Sequence, residues 1–493
     1  MIKFLLNDQA QQLDNIDPNT TVLDYLREVQ LRTGTKEGCA SGDCGACTVV
    51  IAEGTAQNNL SYQAINACIT PVGNLHGKQL ITVEDLKNGD TLHPVQQAMV
   101  DNHGSQCGFC TPGFVMSMFA YRKSYDKPEK ESIIEALGGN LCRCTGYRPI
   151  LDAAVKMFDP ALDDQFTTRE PEIIEKLAVI NNENLTISLT NENKQYFAPT
   201  SVEELAELMI AHPKARLVAG GTDLCLEFTQ MLKEIDCLIY TGQVKELQTI
   251  ELSNDTLTIG AAVTYNQAKS LLVDQYPDLD ELIERLGSYQ IRNQATIAGN
   301  VGNASPIGDM PPVLIALGAK LVLRKGDVRR TVSVEEYFVR YKVTLLQTSE
   351  FIEQVLVPVA NHDYQFKVYK ISKRLEDDIS ATCGAFNLAF AKNADGKTIV
   401  KDAMIAFGGM AEIPKRATHC EQALINQVWD KATIKLAMTA LANDFSPISD
   451  FRASADYRLK VSQNLLPRFF LECQQAHLQS PATSIPVRLT HHA

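Results

Sequence analysis

"EGCASGDCGACTV", residues 37–49, is the stretch whose reading decides the fold. Cys39, Cys44 and Cys47 share one loop, and Cys68 follows after a further strand, giving C-x4-C-x2-C and a distant fourth cysteine. That is the plant-type spacing for a 2Fe–2S cluster. Three ligands on one loop need a backbone that bends sharply around something wider than one ion. Gly38, Gly42 and Gly45, with Ala40, Ser41 and Ala46, supply that bend and let amide N–H groups approach the sulfurs. A four-cysteine zinc site usually pairs two short knuckles, and three thiols on one loop are not that arrangement.

A second quartet lies in "QCGFCTPGFVMS" (106–117) and "GGNLCRCTGYRPI" (138–150). Cys142 and Cys144 are a poor disulfide pair, because side chains at i and i+2 of an extended segment point the same way without meeting correctly. Cys107 and Cys110 are their expected partners. Each pair precedes a threonine and then an expected helix, so Thr111 and Thr145 read as matching caps, and a helix N-terminus favours anionic sulfur. On spacing alone a zinc ion is the alternative for this quartet. A zinc-stabilised binding protein without redox chemistry is the alternative of a different class.

The chain has 493 residues, with 46 Lys plus Arg against 59 Asp plus Glu, a formal charge of −13. That balance argues against a nucleic-acid scaffold. No apolar run is long enough to span a bilayer, and "MIKFLLNDQ" is too short an apolar start for a secretory signal, so a cytoplasmic location is expected. Eight of the 13 cysteines precede residue 145; the other five (225, 237, 383, 420, 473) read as buried apolar thiols.

The domains expected are an iron–sulfur domain over 1–78, a helical domain over 79–158, a linker over 159–194, a mixed α and β domain over 195–360, a C-terminal α/β domain over 361–478 and a loose tail over 479–493. In the first, "IKFLL", "CTVVIA" and "LSYQAINAC" read as strands and "TTVLDYLREV" as a helix. In the second, helices are expected near 94–102, 112–124, 129–137 and 149–158, a four-helix bundle. Thr200 and Glu203 read as a capping box. No long-period repeat is visible. Two later loops, "RLVAGGTDL" (216–224) and "RNQATIAGNVGNASPIGDMPP" (292–312), are rich in small residues that permit close backbone approach to a phosphate, but neither fits G-x-G-x-x-G.

Taken together, the three cysteine motifs resemble the two-cluster region of the xanthine oxidoreductase (molybdenum hydroxylase) family, and the likeness extends over nearly the whole chain. The resemblance implies an α+β multidomain protein: a β-grasp 2Fe–2S ferredoxin-like domain, a four-helix-bundle 2Fe–2S domain, a vanillyl-alcohol-oxidase-like FAD-binding domain and a C-terminal α/β flavoprotein domain. It assigns Cys39, Cys44, Cys47 and Cys68 to one cluster and Cys107, Cys110, Cys142 and Cys144 to the other. Val218, Ala219, Gly220, Gly221, Thr222, Asp223 and Leu224 would wrap the FAD pyrophosphate. Ala295, Thr296, Gly299, Asn300, Ser305 and Asp309 would form the second FAD loop, with Asp309 toward the ribitol or adenosine. Ile352 and Lys370 would flank the flavin ring. The family's "RF" pair is Arg285-Leu286 here, which removes the aromatic ring expected against adenine.

The resemblance further implies NAD as cosubstrate, with Asp377 in "ISKRLEDDIS" (371–380) near its access; a solvated charged loop is the plainer alternative. Gln106 would face the pterin of a separate molybdenum-pterin subunit. The chain is similar to the small subunit of two-chain bacterial members, which implies a heterotetramer of two small and two large chains. The implied activity passes electrons from purine (hypoxanthine or xanthine) hydroxylation on that partner through both clusters to FAD and then NAD. Alternatives within the class are an aldehyde or another N-heterocycle as substrate, and oxygen or a quinone as acceptor.

Overall fold

The computed structural model describes residues 1–158, 164–181 and 186–477. The expected tail over 479–493 and parts of the expected linker lie outside these residues.

The first strand, Ile2–Leu6, is buried on both faces, while Gln9–Leu13 beside it is a largely exposed edge. The order across the sheet is Gln9–Leu13, Ile2–Leu6, Gln79–Ile81, Thr48–Gly54, Leu60–Asn66. Ile2–Leu6 and Gln79–Ile81 run parallel, and the other neighbours are antiparallel. Alternation along Thr48–Gly54 sends Val49 and Ile51 to one face, where they pack with Val22, Tyr25 and Leu26. Val50 and Ala52 go to the other face, where they meet Phe114, Met118 and Phe119 of the helical domain. The ferredoxin-like sheet therefore has a helix on each side, and its second face is the bed for the second domain. Thr21 opens the first helical segment with a capping box to Asp24, as its sequence predicts.

The four helices of the second domain are Pro94–Asp101, Thr111–Ser124, Lys130–Leu137 and Arg148–Lys156. The two expected threonine caps are corrected. Cys110 precedes the helix Thr111–Ser124, and the Thr111 hydroxyl pairs with Ser105 Oγ at 2.7 Å. At the other helix, Gly146 and Tyr147 both have positive φ and make the turn, so a hydroxyl at 145 cannot reach the first helical amides. Thr145 Oγ1 instead accepts the Tyr147 N–H at 3.1 Å.

The polar stretch expected as a linker contains the 17-residue helix Gln165–Asn181 and the strand Ile187–Asn191. Phe166, Ile173 and Leu177 are its buried positions and join the helical-domain core. Asp164 Oδ1 accepts the amides of Phe166 and Thr167 at its start. So few buried positions, in a helix that also contains Pro171, leave little periodicity to read.

Among its described residues, the FAD-binding part has two larger sheets and a two-stranded one, Phe338–Arg340 with Val343–Thr344. Ile187–Asn191, Lys194–Ala198, Cys237–Tyr240 and Arg216–Val218 form one, with the last three mutually parallel across Cys237–Tyr240. Ile250–Leu252, Thr256–Gly260, Phe351–Pro358, Lys320–Lys325 and Val328–Ser333 form an antiparallel second sheet. The capping box expected at Thr200 and Glu203 does not form: Ser201 is the cap and accepts the Glu204 N–H, while the Glu204 carboxylate accepts the Thr200 N–H, one residue before the cap. The C-terminal domain is an antiparallel four-stranded sheet, Tyr364–Ile371 to Lys415–Arg416, covered by helices Thr418–Leu424, Lys431–Leu441 and Ala455–His477. Four of the five isolated cysteines are buried as expected; Cys237 is half-buried.

Candidate functional site

The loop carrying the first three cysteines turns through positive φ at Ala40, Gly42 and Gly45. A side chain at Gly45 would collide with the Gly139 carbonyl of the second-cluster loop. Cys47 Sγ lies 3.3 Å from Cys68 Sγ, and Cys39 is in hydrogen-bonding reach of both Cys44 and Cys68. The amides of Ser41 and Asp43 donate to Cys39 Sγ at 3.4 and 3.3 Å. Hydrogen bonds from Cys44 and Cys68 hold the Cys39 thiol far below its usual range, and the same contact with Cys39 pushes Cys44 up. All four thiols would ionise on binding a metal. Among the described residues, no three His, Cys, Asp or Glu side chains close on a position for one ion. Four thiols with N–H groups aimed at sulfur fit a two-iron cluster.

In the second quartet, Cys142 is buried, Cys110 half-buried, and Cys107 and Cys144 exposed. Cys110 neighbours Cys142, and Cys107 neighbours Cys144. Burial opposes ionisation of Cys142, but the Thr145 hydroxyl (3.2 Å) and amide (3.5 Å) outweigh it and hold the thiol low. So Thr145 serves the sulfur rather than the helix. Gln106 is exposed beside Cys107, with apolar Phe109 and Leu141 also exposed on the same two cysteine loops. The Leu141 N–H donates to the Cys44 carbonyl at 3.0 Å, so one hydrogen bond joins the residue next to Cys142 to a cysteine of the other quartet.

A cavity of about 650 Å³ opens between the two glycine-rich loops. Ala219, Gly220, Gly221, Thr222, Asp223 and Leu224 line one wall; Ala295, Thr296, Gly299, Asn300 and Asp309 line the other, and Ile352, Lys370 and Asp377 also face it. Val218 and Ser305 are not in its wall. Val218 ends its strand buried, with its carbonyl on the Thr241 amide at 2.9 Å. Ser305 instead accepts the Ile307 N–H at 3.4 Å. A Cβ at Gly220 would run into the Gln294 carbonyl, so the two loops touch backbone to backbone. Asn300 Oδ1 is buried in this wall without a partner, a polar atom left for a ligand. The cavity, its glycine walls and that free acceptor fit a dinucleotide flavin.

Lys370 does not point a free charge at the cavity. Its ammonium donates to Asp309 Oδ2 at 2.7 Å and to the Arg285 carbonyl at 2.8 Å, while Asp309 Oδ1 accepts the Ser380 hydroxyl at 2.5 Å. The two residues assigned to different ends of the flavin form one buried ion pair. Asp377, at φ 50°, borders this cavity and a second, larger one of about 930 Å³. Burial pushes its carboxyl up to about 6; Arg292 opposes this, and Glu376 and Asp43 add to it.

Sequence reasoning missed Ser41 and Asp43, which belong to the first-cluster loop yet line the flavin cavity. It also missed Tyr265, whose buried hydroxyl has no partner. Their placement depends on domain packing, and no local signal marks them. Leu286, the departure at the "RF" pair, does line the cavity.

Four family models match in order: a 2Fe–2S iron–sulfur cluster binding domain over 4–73, a [2Fe–2S] binding domain over 82–155, an FAD binding domain in molybdopterin dehydrogenase over 191–360, and a CO dehydrogenase flavoprotein C-terminal domain over 367–473. Similar proteins include xanthine dehydrogenase of Emericella nidulans (32% identical, covering 95% of this chain and 38% of that protein) and xanthine dehydrogenase/oxidase of Mus musculus (32%, 96% and 39%). The chain thus spans well under half the length of these curated relatives. Among solved structures, the carbon monoxide dehydrogenase of Hydrogenophaga pseudoflava is 27% identical with a TM-score of 0.52, over 55% of this chain and 94% of that one. Quinoline 2-oxidoreductase of Pseudomonas putida 86 is 25% identical with a TM-score of 0.52, over 57% and 96%. No helix among the described residues is long and apolar enough to cross a membrane. Two 2Fe–2S domains, an FAD-binding domain and a flavoprotein C-terminal domain in this order fit the iron–sulfur and FAD part of the molybdenum hydroxylase family.

Proposed function

We propose that the chain is the electron-transfer subunit of a xanthine dehydrogenase, working between a separate molybdenum-pterin subunit that hydroxylates a purine and NAD as acceptor. One observation carries the reading: the sites lie in series. Exposed Cys107 and Cys144 form an outer edge, Cys142 connects through Leu141 to Cys44, and the Ser41 and Asp43 loop forms a wall of the flavin cavity. When bound, the clusters supply single-electron steps and FAD couples them to a two-electron transfer.

The protein's own part is positioning and exclusion. Thr145 donates to Cys142 Sγ, and the Ser41 and Asp43 amides donate to Cys39 Sγ, favouring the thiolate at those two sulfurs. The glycine loops admit the cofactor's phosphates at backbone distance, and Asn300 Oδ1 supplies an acceptor. Asp377 borders the flavin cavity, which is compatible with a nicotinamide approaching there. Gln106, Phe109 and Leu141 are the surface for the molybdenum subunit, in an assembly of two small and two large chains in the cytoplasm. The relatives' names support purine as substrate, since the long proteins this chain matches are xanthine dehydrogenases.

The test mixes the FAD-loaded chain anaerobically with NADH and no purine. Bleaching of the flavin absorbance is expected. A fully loaded sample that NADH leaves oxidised removes the nicotinamide step. Isolation with the molybdenum subunit and assay against purines, aldehydes and N-heterocycles then decides the substrate.

A further inference from the structure

Four polar side chains from three domains meet in the buried space between the two cysteine loops. They are Thr48 on the first-cluster strand, Ser117 in the helical domain, Asn140 just before Cys142, and Gln290 in the flavin domain, each at most 2% exposed. The Thr48 hydroxyl donates to the Gly45 carbonyl at 2.7 Å, between Cys44 and Cys47. Asn140 Nδ2 donates to the same carbonyl at 3.0 Å and to Thr48 Oγ1 at 3.2 Å. The Ser117 hydroxyl donates to Asn140 Oδ1 at 2.7 Å.

Both hydroxyl protons and the Asn140 amide are therefore committed, and only acceptors remain. Gln290 Nε2 meets three of them: Asn140 Oδ1 at 3.0 Å, Ser117 Oγ at 3.1 Å and Thr48 Oγ1 at 3.3 Å. Its Oε1 is buried without a partner, pressed onto Gly139, where any side chain would collide with it. A side chain that leaves its own acceptor unsatisfied in order to close this junction is held there by the surrounding geometry.

The same flavin-domain segment seats both cluster domains elsewhere. Arg292 Nη2 pairs with Glu135 at 2.8 Å, Asn293 Nδ2 donates to the Ala64 carbonyl at 2.8 Å, and Gln294 Nε2 donates to Thr70 at 2.9 Å. The following residues, Ala295 and Thr296, are flavin-cavity wall.

We infer that Gln290 is a positioning residue for electron transfer, clamping the second-cluster loop onto the first-cluster loop and both onto the flavin cavity. The inference rests on the electron-transfer reading above. In the step it serves, one electron leaves one cluster, which is oxidised, and enters the next, which is reduced; no bond or proton is exchanged at Gln290.

The test compares the full chain, loaded with iron and FAD, with its Gln290→Leu variant, which keeps the volume and removes the donors. Magnetic coupling between the two reduced clusters reports their spacing, and rapid-mixing spectroscopy reports equilibration between clusters and flavin. Full iron and FAD content, weakened coupling and roughly tenfold or greater slowing are expected. Unchanged coupling and an unchanged rate overturn the inference. If Gln290→Leu does not fold, Ser117→Ala decides: a smaller change in the same direction supports the clamp, and no change overturns it. Absence of both cluster signals from the unaltered chain would instead defeat the electron-transfer reading itself.

Discussion

Replacing Lys370 by Met strips the counter-charge from Asp309, and the structure sets the size of the loss. Both side chains are buried, at 7% and 6% exposure, and the ammonium lies 2.7 Å from Asp309 Oδ2. After the substitution the carboxylate keeps the Ser380 hydroxyl, and the Arg285 carbonyl loses its donor. Breaking a buried pair from one side costs about 3–5 kcal/mol, because an uncompensated charge stays inside. For domains of this size that is roughly 6–20 °C in melting temperature. Arg148→Ala is the control: its partner Asp152 and the arginine itself are 50% and 84% exposed, and the expected loss is below about 1 kcal/mol. The double variant Lys370→Met/Asp309→Asn removes both charges and is expected to melt higher than Lys370→Met alone. Denaturant unfolding and scanning calorimetry read these three variants, the single variant Asp309→Asn and the unaltered chain. A Lys370→Met loss no larger than the control's, or a double variant as low as the sum of its singles, would refute the reasoning.

Gly220→Ala forces a methyl against the Gln294 carbonyl and parts the two loops; about 1–3 kcal/mol of overpacking predicts FAD binding weakened about 5- to 150-fold, with iron content unchanged. Asp377 ionises near 6, so flavin bleaching by NADH is expected to speed up as pH rises through that value, and Asp377→Asn is expected to flatten the profile. Burial works against ionisation of Asp164, yet bonds from His93, Lys123 and the Thr167 amide hold its carboxyl below the usual range. A depressed folded pKa gives stability that is present above about 3.9 and lost as pH falls further. Acid unfolding followed by circular dichroism is expected to lose part of its slope in Asp164→Asn, which is also less stable at neutral pH.

What the sequence disclosed was local. The first four cysteines suggest a cluster by their spacing, the second four only as two paired groups, and the helices around them show in proline, glycine and apolar period. Helix Gln165–Asn181 was hidden because three buried positions in a polar stretch do not make a pattern. Thr111 and Thr145 misled because a hydroxyl next to a helix can serve a turn or a sulfur as readily as the helix. Lys370 with Asp309, Ser41 at the flavin cavity, and Gln290 between the clusters are pairings across long stretches of chain. Their chemistry is visible in the residue type, and their partners only in the packed domains.

The most direct measurement is the metal and flavin content of the purified chain, with EPR of the reduced sample. About four irons and one FAD per chain and two distinguishable cluster signals are expected. Zinc in place of iron, or a single cluster signal from a fully loaded chain, would contradict the electron-transfer reading.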